Sequence, residues 1–229
     1  MDMIYKTAHL GAASVDEHAL ELINMRTLRK LSADDVFVFR LAACDNLVDR
    51  DGERFTEATL EQLSGLYVGK PVLRDHTWSA AMQTARVYDA RVVGEGRVKR
   101  LVLDCYMVRS AGTADTIAAI EGGILSECSV GCSVQHVNCS ICGADQRDTL
   151  CKHIAGREYD GKRCHFELDG AADAYEVSLV AVPAQLEAGV VKAKRYGGAE
   201  GKEPPAPGGA DDKERWADEA ALELEKMRF

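Results

Sequence analysis

Three short segments carry side chains that together could perform acyl transfer. A serine hydroxyl is a weak nucleophile at neutral pH, so it needs a base that removes its proton and a third group that orients the base. The segments offer His76 after a short apolar run, Ser129 in the run Ser129-Val130-Gly131, and Glu176 at the start of another apolar run. Gly131 would share a strand face with Ser129, and we expect it to leave room for a substrate backbone. Each of these residue types is common in proteins, so chemistry alone leaves this triad a hypothesis.

Four neighbouring side chains compete with Ser129 for the role of nucleophile. Ser133 would share a strand face with Ser129, whereas Ser126 would point to the other face of a regular strand. Cys128 and Cys132 are intrinsically better nucleophiles, but alternation places them opposite Ser129, in the core. Neither competing serine is followed by Val-Gly, which favours Ser129.

A second group of residues has the spacing of a metal site. Cys139-x-x-Cys142-Gly143 is the spacing of a zinc knuckle, and Cys151-x-His153 follows closely. Thiolates with one imidazole select zinc, or iron if the cell offers it. The sequence therefore predicts a zinc site formed by Cys139, Cys142, Cys151 and His153, with Cys164 as the reserve fourth ligand.

Other interpretations of the cysteine-rich segment remain open. His136 and His165 are weaker ligand candidates because neither lies in a repeated ligand spacing. The thiols could also be unpaired loop and core residues. If four protein ligands do close the site, the ion is structural, since a catalytic zinc keeps a position for water. Such an ion could fold a segment that has few large apolar residues.

Composition restricts the classes of protein to consider. The chain has 229 residues, 46% of them hydrophobic, and a net charge of −9 from 28 basic and 37 acidic residues. An acidic protein without a segregated basic patch is a poor general nucleic-acid binder, so we expect no direct nucleic-acid partner. The apolar runs are too short to span a membrane, and 1–10 lacks the features of a secretory signal. We therefore expect a cytoplasmic protein whose eight cysteines are not a disulfide framework.

The elements that must position these residues are mostly strands. Helices are expected where apolar residues recur at helical spacing, and strands where β-branched and aromatic residues are dense. The sequence predicts helices at 16–30, 56–66 and 113–121, and strands at 35–43, 85–93, 98–108, 124–134 and 175–182. Thr56 is predicted to cap the second helix, and Gly94-Glu95-Gly96 to join two strands as a hairpin.

The composition also divides the chain into regions. Residues 1–195 form the predicted main domain, which includes the cysteine-rich insertion at 138–165. A Gly/Pro-rich linker is predicted at 196–210 and an amphipathic helix at 211–229. A helix of this kind is marginal in isolation but could dock into the groove of a partner.

The order of several motifs resembles that of a known family. Asp75-His76 follows Gly69-Lys70-Pro71-Val72, then comes Ser129-Val130-Gly131, and then a run from Glu176-Val177-Ser178 to Pro183-Ala184. Together with the run from Asn46 to Glu53, this order is similar to that of the prohead proteases of tailed phages. The resemblance covers about 35–194, and the cysteine-rich insertion departs from the simplest family pattern.

The resemblance implies a fold, a mechanism and a setting. The fold would be that of the herpesvirus assembly proteases, a mainly antiparallel β-barrel flanked by short helices. Ser129 would be the nucleophile, His76 the base and Glu176 the acidic third member of a serine endopeptidase. Its substrates would be the major capsid protein or the scaffold protein, and its own chain. It would act inside the immature capsid in the host cytoplasm, or be encoded by a prophage, with a homodimer as a possible state.

Two alternatives come from different functional classes. A catalytically inactive, zinc-stabilised structural protein of the virion would keep the fold without activity, but the presence of all three triad residues argues against it. A zinc-ribbon nucleic-acid binder has only the cysteine cluster in its favour. Charges between residues 139 and 164 nearly cancel, which does not favour binding to phosphate.

Overall fold

The structure, a computed structural model, describes residues 15–94, 96–181 and, for the backbone alone, 189–190. The predicted linker at 196–210 and the predicted helix at 211–229 lie outside these residues. The helices are α1 (Glu17–Asn24), α2 (Glu57–Tyr67) and α3 (Ala114–Glu121). The strands are β1 (Val36–Asp45), β2 (Glu53–Phe55), β3 (Pro71–Arg74), β4 (Ala85–Val93), β5 (Arg100–Val108), β6 (Glu127–Cys139), β7 (Glu158–Tyr159), β8 (Lys162–Arg163), β9 (Phe166–Val180) and β10 (Gly189–Val190).

Eight of the strands form one curled sheet with the shape of a half-barrel. The order is β2-β9-β3-β4-β5-β1-β10-β6, and a further pairing joins β6 to β9. β9 is therefore the hub of the sheet, because it pairs with β2, β3 and β6. Most pairings are antiparallel, as expected from the sequence, whereas β2 and β3 run parallel to β9. The mainly β class predicted from the sequence is confirmed.

β6 and β9 are the two longest strands, and both extend beyond their predicted bounds. β6 continues to Cys139, and β9 begins at Phe166, nine residues before the predicted start at Tyr175. The run from Glu167 to Asp173 is rich in Asp, Gly and Ala, which are weak strand formers. It is extended because it pairs with β6 along most of its length. The ribbon formed by β6 and β9 has Ser129 and Glu176, two of the predicted catalytic residues, toward one end and the cysteine-rich insertion at the other.

α2 lies against the sheet and completes the main core. The Thr56 side chain accepts a hydrogen bond from the Thr59 backbone N–H, which confirms the predicted cap. Leu60, Leu63 and Tyr67 are fully buried on one face of this helix. Their burial fixes α2 across β9 and β4, and the Tyr67 hydroxyl donates a hydrogen bond to the Gly131 carbonyl oxygen at 3.0 Å. The helix therefore supports the sheet directly beneath the predicted site.

The first helix is shorter than predicted. α1 ends at Asn24 rather than at Lys30, because the Asn24 side chain exchanges two hydrogen bonds with the Leu31 backbone. These bonds hold the following residues in a loop instead of a further helical turn. None of the helices among the described residues is long and apolar enough to cross a membrane.

Candidate active site and metal centre

Three neighbouring strands bring the predicted catalytic residues together. β9 lies between β3, which is parallel to it, and β6, which is antiparallel. Glu176 is on β9, and Ser129 on β6 is paired directly with Ser178 of β9. His76 lies in the turn that begins where β3 ends, at Arg74. Ser129 and Glu176 thus lie on adjacent strands, and His76 follows a third strand that pairs with the strand of Glu176.

His76 and Glu176 form a direct contact. The His76 Nδ1 atom lies 2.7 Å from Glu176 Oε1, and the two residues are 100 positions apart in the chain. The Glu176 side chain is 1% exposed, whereas that of His76 is 43% exposed. A carboxylate accepts hydrogen bonds, so Nδ1 is the donor in this contact, and in a neutral imidazole Nε2 is then the acceptor. This is the tautomer that a general base requires.

The turn that holds His76 has an unusual backbone. Asp75 and His76 both have a φ of 51°, in the left-handed region that non-glycine residues rarely adopt. The turn is closed by a 2.9 Å bond from the Thr77 N–H to the Arg74 carbonyl oxygen. A second bond, from the Asp75 N–H to Leu179 O at 3.0 Å, ties it to β9. Strained backbone of this kind persists where surrounding contacts impose it.

Ser178 is a site residue for which the sequence predicted no role. Its hydroxyl donates to Glu176 Oε2 at 2.5 Å and accepts a hydrogen bond from the His76 backbone N–H at 3.0 Å. The residue is completely buried. The signal was the spacing of Glu176 and Ser178, since residues two apart in a strand face the same side.

Gly131 has a different role from the expected one. From the sequence we expect the space beside Gly131 to accommodate a substrate backbone. In the structure, the side chain of Glu176 on the neighbouring strand occupies that space. A Cβ atom on Gly131 would lie 2.4 Å from Glu176 Oε1. Gly131 is paired directly with Glu176, so its missing side chain makes room for the carboxylate. The expectation was therefore wrong about which group occupies the space.

Ser129 lies beside this constellation without a hydrogen bond to it. Directly paired residues of antiparallel strands have Cβ atoms about 5 Å apart, which places the Ser129 side chain next to that of Ser178. Ser178 in turn contacts the His76 backbone. Among the described residues, no hydrogen bond joins Ser129 Oγ to the His76 ring. Contacts between nucleophile and base are often loose in unliganded enzymes and tighten when substrate binds.

The competing nucleophiles are less suitably placed. Ser133 is paired with Asp173 and accepts a hydrogen bond from the Tyr175 hydroxyl, further along the ribbon. Burial raises the pKa of the Cys128 thiol to about 12 and that of the Cys132 thiol to about 11. Both thiols therefore stay protonated and weakly nucleophilic at neutral pH.

Ser129 is one of the residues that line a cleft. The cleft has a volume of about 210 Å³, and Ser129, Cys128 and Val130 of β6 contribute one wall. Asp49, from the turn before β2, and Glu53, the first residue of β2, line it as well. Burial raises the pKa of both carboxyl groups above their ordinary values. Ser129 therefore lies at a cleft that is also lined by two carboxyl groups of raised pKa.

The predicted zinc ligands converge at the far end of the ribbon. One ligand atom each from Cys139, Cys142, Cys151 and His153 lies within 4.8 Å of the others, and we call these four residues the metal cluster. The Cys139 Sγ to His153 Nδ1 distance is 3.6 Å. A tetrahedral zinc with bonds of about 2.3 Å to sulfur and about 2.05 Å to nitrogen separates two such ligand atoms by about 3.6 Å. The cluster could hold a metal ion.

The local backbone sets the turn that joins Cys139 to Cys142 and favours the thiolate form of Cys139. The Gly143 N–H bonds to the Cys139 carbonyl oxygen at 2.8 Å, and Gly143 has a φ of 73°, which favours glycine. Burial acts to raise the pKa of Cys139, but hydrogen bonds from the Cys142 and Ile141 backbone N–H groups outweigh it and lower the pKa. A lowered pKa favours the thiolate, the form that binds metal.

The remaining candidate ligands lie outside the metal cluster. Cys164 is 1% exposed and its side chain contacts Cys139, but its sulfur is not among the four ligand atoms that all lie within 4.8 Å of one another. His136 Nδ1 pairs with Asp145 at 2.7 Å, and His165 Nε2 lies 3.8 Å from Glu167. The first-choice set of four is therefore the set that the structure brings together. The ribbon places it ten residues along β6 from Ser129, or about 30 Å away.

Comparison of the chain with protein-family models, with curated proteins and with solved structures gives no match.

Proposed function

We propose that this chain is a serine endopeptidase of the prohead protease type. The observation that carries the proposal is the 2.7 Å contact between His76 Nδ1 and the buried Glu176 carboxylate. Glu176 lies on β9, the strand that pairs with the Ser129 segment of β6. A half-exposed histidine held by a buried carboxylate, with a serine on the neighbouring strand, supplies the three kinds of group that nucleophilic acyl transfer uses.

Each residue has a defined task in the proposed reaction. His76 Nε2 takes the proton of Ser129 Oγ as that oxygen attacks the scissile carbonyl carbon, and then delivers it to the leaving amine. Water attacks the Ser129 acyl-enzyme in the second half of the reaction, with His76 again acting as the base. The Glu176 carboxylate stabilises the imidazolium that forms in each half.

The finer assignments belong to the same proposal. The curled, mainly antiparallel sheet is compatible with a fold like that of the herpesvirus assembly proteases. The substrates would be the capsid or scaffold protein and the chain itself, cut inside an immature phage capsid. The cleft beside Ser129 would receive a substrate side chain. The contact between His76 and Glu176 weighs against the inactive structural alternative.

The metal cluster would have a structural task within this enzyme. Four protein ligands close a tetrahedral site, which leaves no position for a reacting water. We propose zinc as the ion, since the set comprises three thiolates and one imidazole. Residues 140–165 contribute little to the main core, so an ion would supply the cross-link that stabilises them.

A covalent probe tests the proposal without knowledge of the substrate. A biotinylated fluorophosphonate should label the purified full chain at Ser129, as located by peptide mass mapping. Labelling should disappear in Ser129→Ala and fall by about 1,000-fold or more in His76→Ala, because the base is lost.

Ser133→Ala is the matched control, since it removes a hydroxyl from the same strand. It should label like the natural chain. The proposal fails if the natural chain is not labelled, if Ser129→Ala is labelled equally, or if Ser133→Ala alone abolishes labelling.

A further inference from the structure

Ser178 joins two parts of the candidate active site through one hydroxyl group. Its O–H donates a hydrogen bond to Glu176 Oε2, and its oxygen accepts a hydrogen bond from the His76 backbone N–H. The side chain is completely buried. It cannot reach a substrate, and its donor is already engaged, so it is not a second nucleophile.

The bond to Glu176 fixes the direction of the carboxylate. Oε1 faces the His76 ring, and among the described residues the Ser178 hydroxyl is the one side-chain hydrogen-bond partner of Oε2. A carboxylate held at one oxygen can rotate about its last side-chain bond, whereas one held at both cannot. Ser178 therefore keeps Oε1 aimed at Nδ1.

The bond to the His76 backbone fixes the other partner. Two consecutive residues of that turn, Asp75 and His76, are in the left-handed region. Such a turn needs contacts that compensate its cost. The His76 N–H is anchored on the Ser178 hydroxyl, so the same group that orients the acid also places the base.

We infer that Ser178 is a positioning residue that holds Glu176 and His76 in register with each other. The inference rests on the proposed function. The acid, Glu176, and the base, His76, are thereby coupled through a hydroxyl group on β9, the strand that carries Glu176. The requirement is for a hydroxyl group, because one atom must both donate and accept.

The experiment measures fluorophosphonate labelling of the full chain at several probe concentrations. Ser178→Ala should lower the limiting labelling rate by about 10- to 100-fold, since small misplacement of reacting groups has costs of this order. The probe concentration at half-maximal rate should stay the same, because Ser178 does not contact the ligand. Ser178→Thr keeps the hydroxyl and should restore most of the rate.

Thr59→Val is the matched control for loss of a buried hydroxyl. Thr59 is completely buried and hydrogen-bonded, but it contacts neither His76 nor Glu176. It should lower thermal stability while leaving the labelling rate within about 3-fold of the natural chain, since it does not touch the reacting groups. If Ser178→Ala does not fold, Ser178→Cys and Ser178→Thr make the same comparison.

A spectroscopic measurement separates positioning from general destabilisation. The hydrogen-bonded Nδ1 proton of His76 should give a downfield resonance that is lost or shifted in Ser178→Ala and kept in Thr59→Val. Equal labelling rates and an unchanged resonance in Ser178→Ala would overturn the inference while leaving the protease intact. Absence of labelling in the natural chain would instead overturn the proposed function.

Discussion

Replacing Gly131 with alanine tests the core of the proposed site. The new Cβ atom would lie 2.4 Å from Glu176 Oε1, whereas ordinary contact begins at 3.4 Å, so one group must move by about 1.0 Å (3.4 − 2.4). A displacement of that size is enough to lengthen the 2.7 Å bond between Glu176 and His76 beyond hydrogen-bond range.

Two effects of Gly131→Ala should be measurable. Misplacement by about 1 Å should lower the fluorophosphonate labelling rate by about 100-fold or more. Overpacking should also cost about 1–3 kcal/mol of unfolding free energy. For a domain of this size that corresponds to a fall in melting temperature of roughly 2–12 °C, measured by calorimetry.

Gly65→Ala is the matched control for the same substitution. Gly65 lies within α2, and a Cβ atom there meets nothing within 4 Å. The variant should gain about 0.5–1 kcal/mol of stability from helix propensity and label like the natural chain. A Gly131→Ala protein that is folded and labels at the natural rate would refute the claim that Glu176 must be held against His76.

Two further predictions concern the metal cluster and a surface carboxylate. Native mass spectrometry should find one zinc ion per chain. Removal of the ion by a chelator should raise the rate of hydrogen exchange in 140–165 and leave β3 protected. A metal-free chain in which 140–165 stays protected from exchange would contradict this prediction. The backbone N–H and the hydroxyl of Ser32 lower the pKa of Asp35 to about 2. Stability from this carboxylate is present above its unfolded value of 3.8 and is lost as pH falls toward 2, so the stability gap between the natural chain and Asp35→Asn should close over that range. A gap that stays constant over that range would show that the carboxylate does not contribute through its charge.

Short sequence patterns predicted the features whose contacting residues lie close together in the chain. Thr56 caps α2 as expected, and the predicted hairpin exists as β4 and β5. The metal cluster was also predictable, because a knuckle spacing brings two thiolates together within a few residues. In these cases the contacting residues are close in sequence, so the pattern contains most of the information.

The triad was predictable only as a set of residue types in a family-like order. The sequence by itself determined that a serine, a histidine and a carboxylate were present. It did not determine that His76 and Glu176 touch, because their contact spans 100 residues and depends on the pairing of β3 with β9. The catalytic roles themselves stay predictions until the labelling experiment is done.

Tertiary structure alone decided the features that support the site. β9 is long because β6 pairs with it, although its early residues are weak strand formers. The same pairing places Gly131 against Glu176 and Ser129 against Ser178. The physical reason is that cross-strand neighbours are set by register, which no single segment specifies. The sequence thus determined which side chains could do chemistry, and the fold decided which of them meet.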